Sequence, residues 1–254
     1  MSAEIAVKAR DITKHFVVSH NALVSLYSLF AKRRVGEANG IVKRVIHPCS
    51  IDIERGRFVG VIGKNGSGKS TFLKIVSGVY KPNSGDIQVF GQIAPFLELG
   101  AGFRPELSVY DNIRINGQLI GIPKRKLLDN WHQILEFAGL PGREKDQLKR
   151  LSTGMRIRLA FSIALNSDAN IYILDEVMSV GDVEFRDKSF EELQKKIKND
   201  TTVFFASHNE HHIRNFCDSV IYINDGYVKY YEDVELGIGQ YRQDLNNNKG
   251  CVRA

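Results

Sequence analysis

The sequence predicts an α/β protein with an N-terminal antiparallel β subdomain and a helical subdomain inserted into the core. Continuous apolar runs at 58–62 and 171–174 are typical of strands buried on both faces of a sheet, and helical patterns separate them. Apolar and polar residues alternate over 5–12, which favours a half-buried strand. Helical patterns dominate the segment from 91 to about 151, which we interpret as the inserted subdomain.

The elements follow in order along the chain, and a turn at 54–57 is expected to join two neighbouring strands. The predicted strands cover residues 5–12, 51–53, 58–62, 86–90, 171–174, 201–206 and 219–223, the last of them expected to be the final strand. The predicted helices cover residues 21–34, 72–78, 110–120, 124–138, 155–165, 184–197 and 211–216. Residues 246–254 read as a polar, frayed tail, so one domain of residues 1–245 is expected, with its helical subdomain at 92–155.

A glycine-rich loop between the strand at 58–62 and the helix at 72–78 is the strongest motif of the chain. It fits the pattern G-x-x-x-x-G-K-[ST] and consists of Gly63, Lys64, Asn65, Gly66, Ser67, Gly68, Lys69, Ser70 and Thr71. We call residues 63–71 the phosphate loop, because its amides and the helix N-terminus favour a polyphosphate. Lys69 is expected to reach the β- and γ-phosphates, and the Ser70 hydroxyl to ligate Mg²⁺. The flanking strand and helix argue against an incidental glycine turn.

Composition places the chain among ordinary globular proteins. Its 254 residues are 43% hydrophobic and 25% charged, enough for one large domain or one domain with a small insert. Lys and Arg number 35 against 29 Asp and Glu, a net charge of +6. This mild excess is compatible with nucleic acid, an acidic membrane surface or a nucleotide. The basic residues are dispersed, so a solvated face is the default interpretation.

Cysteine usage and the absence of long apolar runs predict a soluble cytosolic protein. Cys49, Cys217 and Cys251 are far apart and show no metal-ligand spacing, so we expect reduced thiols. The first residues lack the features of a signal peptide. No run approaches the roughly 18 apolar residues that a membrane-spanning helix needs. Any membrane role is therefore expected to depend on a partner.

Two carboxylates, Asp175 and Glu176, directly follow the buried strand at 171–174. Asp175 is expected to hold Mg²⁺, directly or through a coordinated water. Glu176 is expected to act as general base and accept a proton from the hydrolytic water. A strand with a polar cap is the plain alternative, and the phosphate loop upstream argues against it.

The segment Leu151-Ser152-Thr153-Gly154-Met155 resembles the signature sequence of the ABC transporter family, Leu-Ser-Gly-Gly-Gln. Ser152 and Gly154 stand at a predicted helix start, where a hydroxyl and glycine amides form an anion site. Alone, the segment reads as a helix cap. Its position between the phosphate loop and the carboxylates favours the resemblance, which implies a P-loop NTPase (RecA-like) core.

Three further residues are assigned roles through this resemblance. His208, in Phe205-Ala206-Ser207-His208, matches the switch histidine that contacts the γ-phosphate, although a lone strand-end histidine is more often structural. Asp182, in Ser179-Val180-Gly181-Asp182, matches the loop that touches the opposite subunit. Phe16 occupies the place of the aromatic residue that stacks on adenine, with an ordinary core phenylalanine as the alternative.

One departure from the family pattern narrows the subfamily. The usual glutamine between phosphate loop and signature is replaced by a run that includes Glu98, which offers an oxygen ligand but cannot donate as an amide does. The run 97–103 and the segments 152–156 and 175–182 resemble polysaccharide exporters of the O-antigen, capsule or teichoic-acid type. The resemblance covers about residues 3–245, so we do not expect the carbohydrate-binding domain that some members add after the ATPase.

The resemblance implies an ATPase subunit that exports a lipid-linked polysaccharide across the bacterial inner membrane. It implies ATP and Mg²⁺ as cofactors, a homodimer, integral-membrane permease subunits and a peripheral place on the cytoplasmic face. The alternative is a soluble ABC ATPase acting on nucleic acid or ribosomes, but the second cassette or coiled-coil insertion usual there is missing, so no nucleic acid is expected. A non-hydrolysing module is disfavoured by Glu176. Residues 21–34 either lie near anionic lipid or form an amphipathic helix on their own domain.

Overall fold

Two sheets carry the fold in a computed structural model that describes residues 4–18, 41–96, 100–175, 183–197 and 200–250. The first is a three-stranded antiparallel sheet of β1 (Ile5–Val18), β2 (Ile41–Glu54) and β4 (Ser84–Val89), in the order β2-β1-β4. Alternating residues of β1 and β2 enter the core, with Val7 opposite Ile53 and Ala9 opposite Ile51. The predicted antiparallel β subdomain is confirmed.

The second sheet has six strands and forms the centre of the molecule. Its strands are β3 (Phe58–Ile62), β5 (Ile93–Pro95), β6 (Ile171–Leu174), β7 (Thr202–Ala206), β8 (Ser219–Asn224) and β9 (Tyr227–Tyr231). The order is β5-β6-β7-β3-β8-β9, and every pairing is parallel except that of β8 with β9. Val59 and Val61 enter one apolar cluster, whereas Phe58 and Ile62 enter another on the opposite face. Burial on both faces explains the unbroken apolar run in the sequence.

Two expectations about the strands are wrong, one about their pairing and one about which strand is the last. The strands at 51–53 and 58–62 do not pair, because β2 belongs to the antiparallel sheet and β3 lies between β7 and β8. The strand at 219–224 is not the last, since the two-residue turn Asp225–Gly226 leads into β9. Asp225 and Gly226 have φ of 47° and 83°, the left-handed conformation that favours Asp-Gly in tight hairpins.

Some helices flank the central sheet, and three others pack mainly against one another. They are α1 (Lys69–Val76), α2 (Val109–Leu119), α3 (Lys124–Phe137), α4 (Thr153–Leu165), α5 (Val183–Ile197), α6 (Glu210–Phe216) and α7 (Val234–Gly250), with a 3₁₀ turn at Leu148–Arg150. Helices α2, α3 and α4 pack around a separate apolar cluster that includes Ile113, Leu127 and Leu159. The bounds of the helical subdomain, 92–155, stay a prediction. The first residues of this range include β5, which pairs with β6 in the central sheet.

The first residues of the polar tail predicted at 246–254 are helical, and the tail as a boundary stays a prediction. Residues 246–250 continue α7, which packs against β8 through Ile238 and Tyr241. Residues 251–254 and the predicted helix at 21–34 lie outside the described residues. Among the helices that the structure describes, none is long and apolar enough to cross a membrane.

Candidate active site

The phosphate loop lies at the carboxyl end of β3 and leads into α1. Gly66 and Gly68 have φ of 79° and 113°, values that glycine adopts with little steric cost because it has no Cβ. Helix α1 begins directly after them, at Lys69. The first N–H groups of a helix have no partner within it, so the loop presents donors and the positive end of the helix dipole. Asn65 and Gly66 are exposed, whereas the Ser67 side chain is buried beneath the loop. The backbone of this loop suits a polyphosphate.

Lys69 is held under the loop by the backbone. Its ammonium Nζ donates to the carbonyl oxygens of Gly63 at 2.7 Å and Lys64 at 3.0 Å, and the residue is only 6% exposed. Burial lowers the pKa of Lys69, and the nearby charge of Asp175 partly opposes this shift. A cation that is buried against carbonyl oxygens gains from an anionic ligand.

Ser70 and Asp175 meet although 105 positions separate them in the chain. The Ser70 hydroxyl donates to Oδ2 of Asp175 at 3.2 Å, which joins the start of α1 to the end of β6. Two oxygens that ligate one Mg²⁺ side by side lie about 2.9 Å apart, given Mg–O distances of about 2.0–2.1 Å. The donor pair therefore fits a magnesium ion.

His208 follows β7, the strand that lies between β3 and β6. The Ser207 N–H donates to the Val61 carbonyl at 3.2 Å, and the Ser207 hydroxyl accepts from the Asn209 N–H at 3.0 Å. Asn209 then caps α6. These bonds hold the exposed His208 at the same sheet edge as the phosphate loop and Asp175.

Ser152 and Gly154 lie at the start of α4. The Ser152 hydroxyl accepts a hydrogen bond from the Met155 N–H at 3.2 Å and so caps the helix. Ser152 and Thr153 are exposed, and a Cβ placed on Gly154 would meet only Ser152 Oγ, at 4.0 Å. The segment is therefore an open helix N-terminus that a further molecule is able to approach.

Phe16 lies half-buried on β1 beside a second aromatic residue that sequence reasoning missed. The Phe16 and Tyr80 ring centroids are 5.6 Å apart at an interplanar angle of 70°. Lys14 Nζ lies 5.3 Å from the Phe16 centroid and donates to the Lys81 carbonyl at 2.7 Å. Partial exposure disfavours the alternative of an ordinary core phenylalanine. The signal for Tyr80 was its place directly before Lys81-Pro82-Asn83, residues that favour a turn into the next strand.

The family profile described as "ABC transporter" matches residues 46–179, more than half of the chain. The chain belongs to the ABC transporter family. Curated relatives of this ABC protein include the O-antigen export system ATP-binding protein RfbB of Myxococcus xanthus, 34% identical over 86% of this chain and 49% of the relative. The teichoic acids export ATP-binding protein TagH of Bacillus cereus is 32% identical over 94% of this chain and 43% of the relative. The chain thus spans about half the length of these two relatives.

A relative from Klebsiella pneumoniae is close to this ABC protein in length. The O-antigen export system ATP-binding protein RfbB of that organism is 32% identical over 95% of this chain and 99% of the relative. Among solved structures, an ATP-binding subunit of an ABC transporter superimposes with a TM-score of 0.72 at 19% identity, covering 92% of this chain and 93% of that one. A dimeric ATP-binding cassette bound to ADP and Pi gives 0.67 at 20% identity, covering 88% and 97%. These structures show that the fold is that of an ABC ATPase domain.

The ABC fold accounts for the placement of the predicted site residues. Lys69, Ser70, Asp175 and His208 lie along the carboxyl edge of the neighbouring strands β6, β7 and β3. Three other predicted residues, Glu98, Glu176 and Asp182, lie outside the described residues, so their roles stay predictions.

Proposed function

We propose that this ABC protein is the ATP-hydrolysing subunit of a transporter that exports a lipid-linked polysaccharide of the O-antigen or capsular type across the bacterial inner membrane. The observation that carries the proposal is the contact between Ser70 and Asp175, because it joins the phosphate loop to the end of β6 and builds a place for a magnesium ion beside the phosphates. The relatives with export names supply the transported class.

The phosphate loop binds the phosphates of ATP, and its neighbours hold them for reaction. Lys69 turns its ammonium from the loop carbonyls to the β- and γ-phosphate oxygens. Mg²⁺, held by Ser70 and Asp175, would supply charge neutralisation on those oxygens. His208, at the end of β7, contacts the γ-phosphate, and Phe16 stacks on the adenine.

Glu176 is the proposed general base. It directly follows Asp175 in the sequence, and Asp175 lies at the end of β6, beside Ser70 of the phosphate loop. A carboxylate there accepts a proton from the attacking water while the loop and metal stabilise the developing charge. Hydrolysis is therefore assigned to residues that lie at the ends of adjacent strands.

A second copy of the chain completes the site. Ser152 is exposed and caps α4, and Gly154 lies half-buried in the first turn of that helix. The hydrogen bond described for Ser152 is to Met155 of its own helix and not to the phosphate loop of the same chain. We assign Ser152 and Gly154 to the γ-phosphate bound by the partner copy, with Asp182 at the same interface. Binding of ATP then closes a head-to-tail homodimer, and hydrolysis reopens it.

Permease subunits convert this closure into transport at the cytoplasmic face of the membrane. The helical subdomain, which includes helices α2 and α3, and the segment 98–103 are the proposed docking surface. The buried Asn112, on α2, holds the backbone of Arg104, directly after this segment, by accepting from the Arg104 N–H at 2.7 Å and donating to the Arg104 carbonyl at 2.9 Å. No nucleic acid takes part in this cycle.

The proposal is tested by deleting the gene for the chain from the bacterium that carries it. Loss of surface polysaccharide together with intracellular accumulation of the lipid-linked glycan is expected. Wild type restores export, and Glu176→Gln at equal abundance does not. Unchanged surface glycan without accumulation would overturn export as the function. Salt-dependent binding of the purified chain to RNA would favour the nucleic-acid alternative.

A further inference from the structure

The rear of the phosphate loop rests on two backbone segments that belong to neither the loop nor its helix. One is the part of β2 at residues 45–47, and the other is the turn Asp225–Gly226 between β8 and β9. The Gly226 N–H donates to the Ser67 carbonyl at 3.0 Å, and the Gly226 carbonyl accepts from the His47 N–H at 2.9 Å. The two peptide groups that flank Gly226 therefore link the phosphate loop to β2 of the antiparallel sheet.

The contact leaves no room for a side chain at Gly226. A Cβ built there would lie 2.6 Å from the Val45 carbonyl oxygen and 3.0 Å from its carbon, and φ is 83°. The same Val45 oxygen lies 2.9 Å from a Cβ built on Gly68 of the loop. The carbonyl group of Val45 thus packs closely against both Gly226 and Gly68. A displacement of β2 or of the turn would therefore also displace the phosphate loop.

A stacked ring pair fixes the turn against β2. The rings of His47 and Tyr227 lie 4.0 Å apart at an interplanar angle of 3°. Tyr227 is 64% exposed, so the stack adds little to the apolar core. Its position beside Gly226, with His47 Cδ2 at 3.1 Å from a Cβ built there, makes it a support for the turn.

We propose that Gly226, supported by the His47–Tyr227 stack, is a positioning residue that holds the phosphate loop in its nucleotide-binding shape. The Gly226 N–H fixes the Ser67 carbonyl, and Ser67 lies between the exposed tip of the loop and the start of α1. Loop amides bind phosphate only when they converge on it, and in catalytic sites a misplacement of about 1 Å is enough to cost about a hundredfold in rate. The inference rests on the proposed nucleotide binding and adds residues that touch no nucleotide.

The experiment compares Gly226→Ala with Gly237→Ala by calorimetric titration of the purified full chain with ADP and Mg²⁺. Gly237, on α7, is a matched control because a Cβ built there lies 3.0 Å from Val220 and near no atom of the loop. We expect Gly226→Ala to raise Kd by about 10- to 100-fold with the number of sites per chain unchanged. Gly237→Ala should stay within about twofold of wild type. Irreversibly misfolded protein would instead lower the number of sites and leave Kd unchanged.

Variants at Tyr227 keep the test decisive if Gly226→Ala does not fold. Tyr227→Ala should raise Kd for ADP by about 3- to 10-fold, and Tyr227→Phe, which keeps the ring, should restore it. A wild-type Kd in Gly226→Ala or in Tyr227→Ala would overturn the inference, as would equal increases in Gly226→Ala and Gly237→Ala. If wild type itself binds no ADP, the proposed function fails and the inference with it.

Discussion

Replacing Lys69 by methionine isolates the contribution of one charge to nucleotide binding. The side chain is 6% exposed and its ammonium already has two carbonyl partners, so methionine fills similar space without a donor. Removing one partner of a buried, hydrogen-bonded charge pair costs about 2–5 kcal/mol of binding free energy. That corresponds to an increase in Kd for ATP of about 30- to 5,000-fold.

Folding should be much less affected than binding in this variant. The carbonyl groups of Gly63 and Lys64 lose a donor, but the folded state no longer buries a cation. These effects oppose each other, and we expect the free energy of unfolding to change by less than about 2 kcal/mol.

The assay is calorimetric titration with ATP and Mg²⁺, with urea unfolding of the same samples. Lys126→Met is the matched control, since Lys126 lies on α3, away from the loop, and the change removes the same charge from an ion pair with Asp168. Its Kd should equal that of wild type. An affinity of Lys69→Met within about threefold of wild type would refute the assignment of the phosphate loop.

Three further predictions concern the base, the adenine contact and the docking loop. Glu176→Gln should slow phosphate release by about 10²–10⁴-fold and trap an ATP-bound dimer in gel filtration; unchanged turnover would place the base elsewhere. Phe16→Ala should raise Kd for ATP by about 5- to 150-fold, as expected for base stacking, with Phe16→Tyr close to wild type; equal affinities would remove Phe16 from the site. Asn112→Ala should lower the free energy of unfolding in urea by about 2–4 kcal/mol, because the Arg104 N–H and carbonyl both lose a partner. A loss below about 1 kcal/mol would mean that water replaces these bonds.

The central strands and the phosphate loop could be predicted because their signals are local. The apolar run at 171–174 coincides with β6, and the motif at 63–71 lies between β3 and α1 as expected. Fully buried parallel strands leave continuous apolar runs, and the loop needs its glycines at fixed spacing. The motif also predicted that Ser70 and Asp175 serve one ion, and the structure brings them together.

Features that depend on distant contacts could not be predicted from the sequence. The separation of β2 from β3 follows from the pairing of β3 with β7 and β8, more than 140 positions further along the chain. Helix α7 is mostly polar and shows its apolar side only through a few residues such as Ile238 and Tyr241. Gly226 reads in sequence as a turn glycine after the strand at 219–223, and only the fold shows that it touches the phosphate loop.

The central claim is that two copies of the chain share each active site, and mixed variants test it most directly. Lys69→Ala disables the phosphate loop, and Ser152→Asp keeps an oxygen to cap α4 while it places a carboxylate where the γ-phosphate is expected. In an equal mixture, half of the dimers are mixed, and each holds one site with both halves intact. The mixture should therefore hydrolyse ATP at about a quarter of the wild-type rate, although neither variant is active alone. A mixture no more active than the separate variants would contradict the shared site.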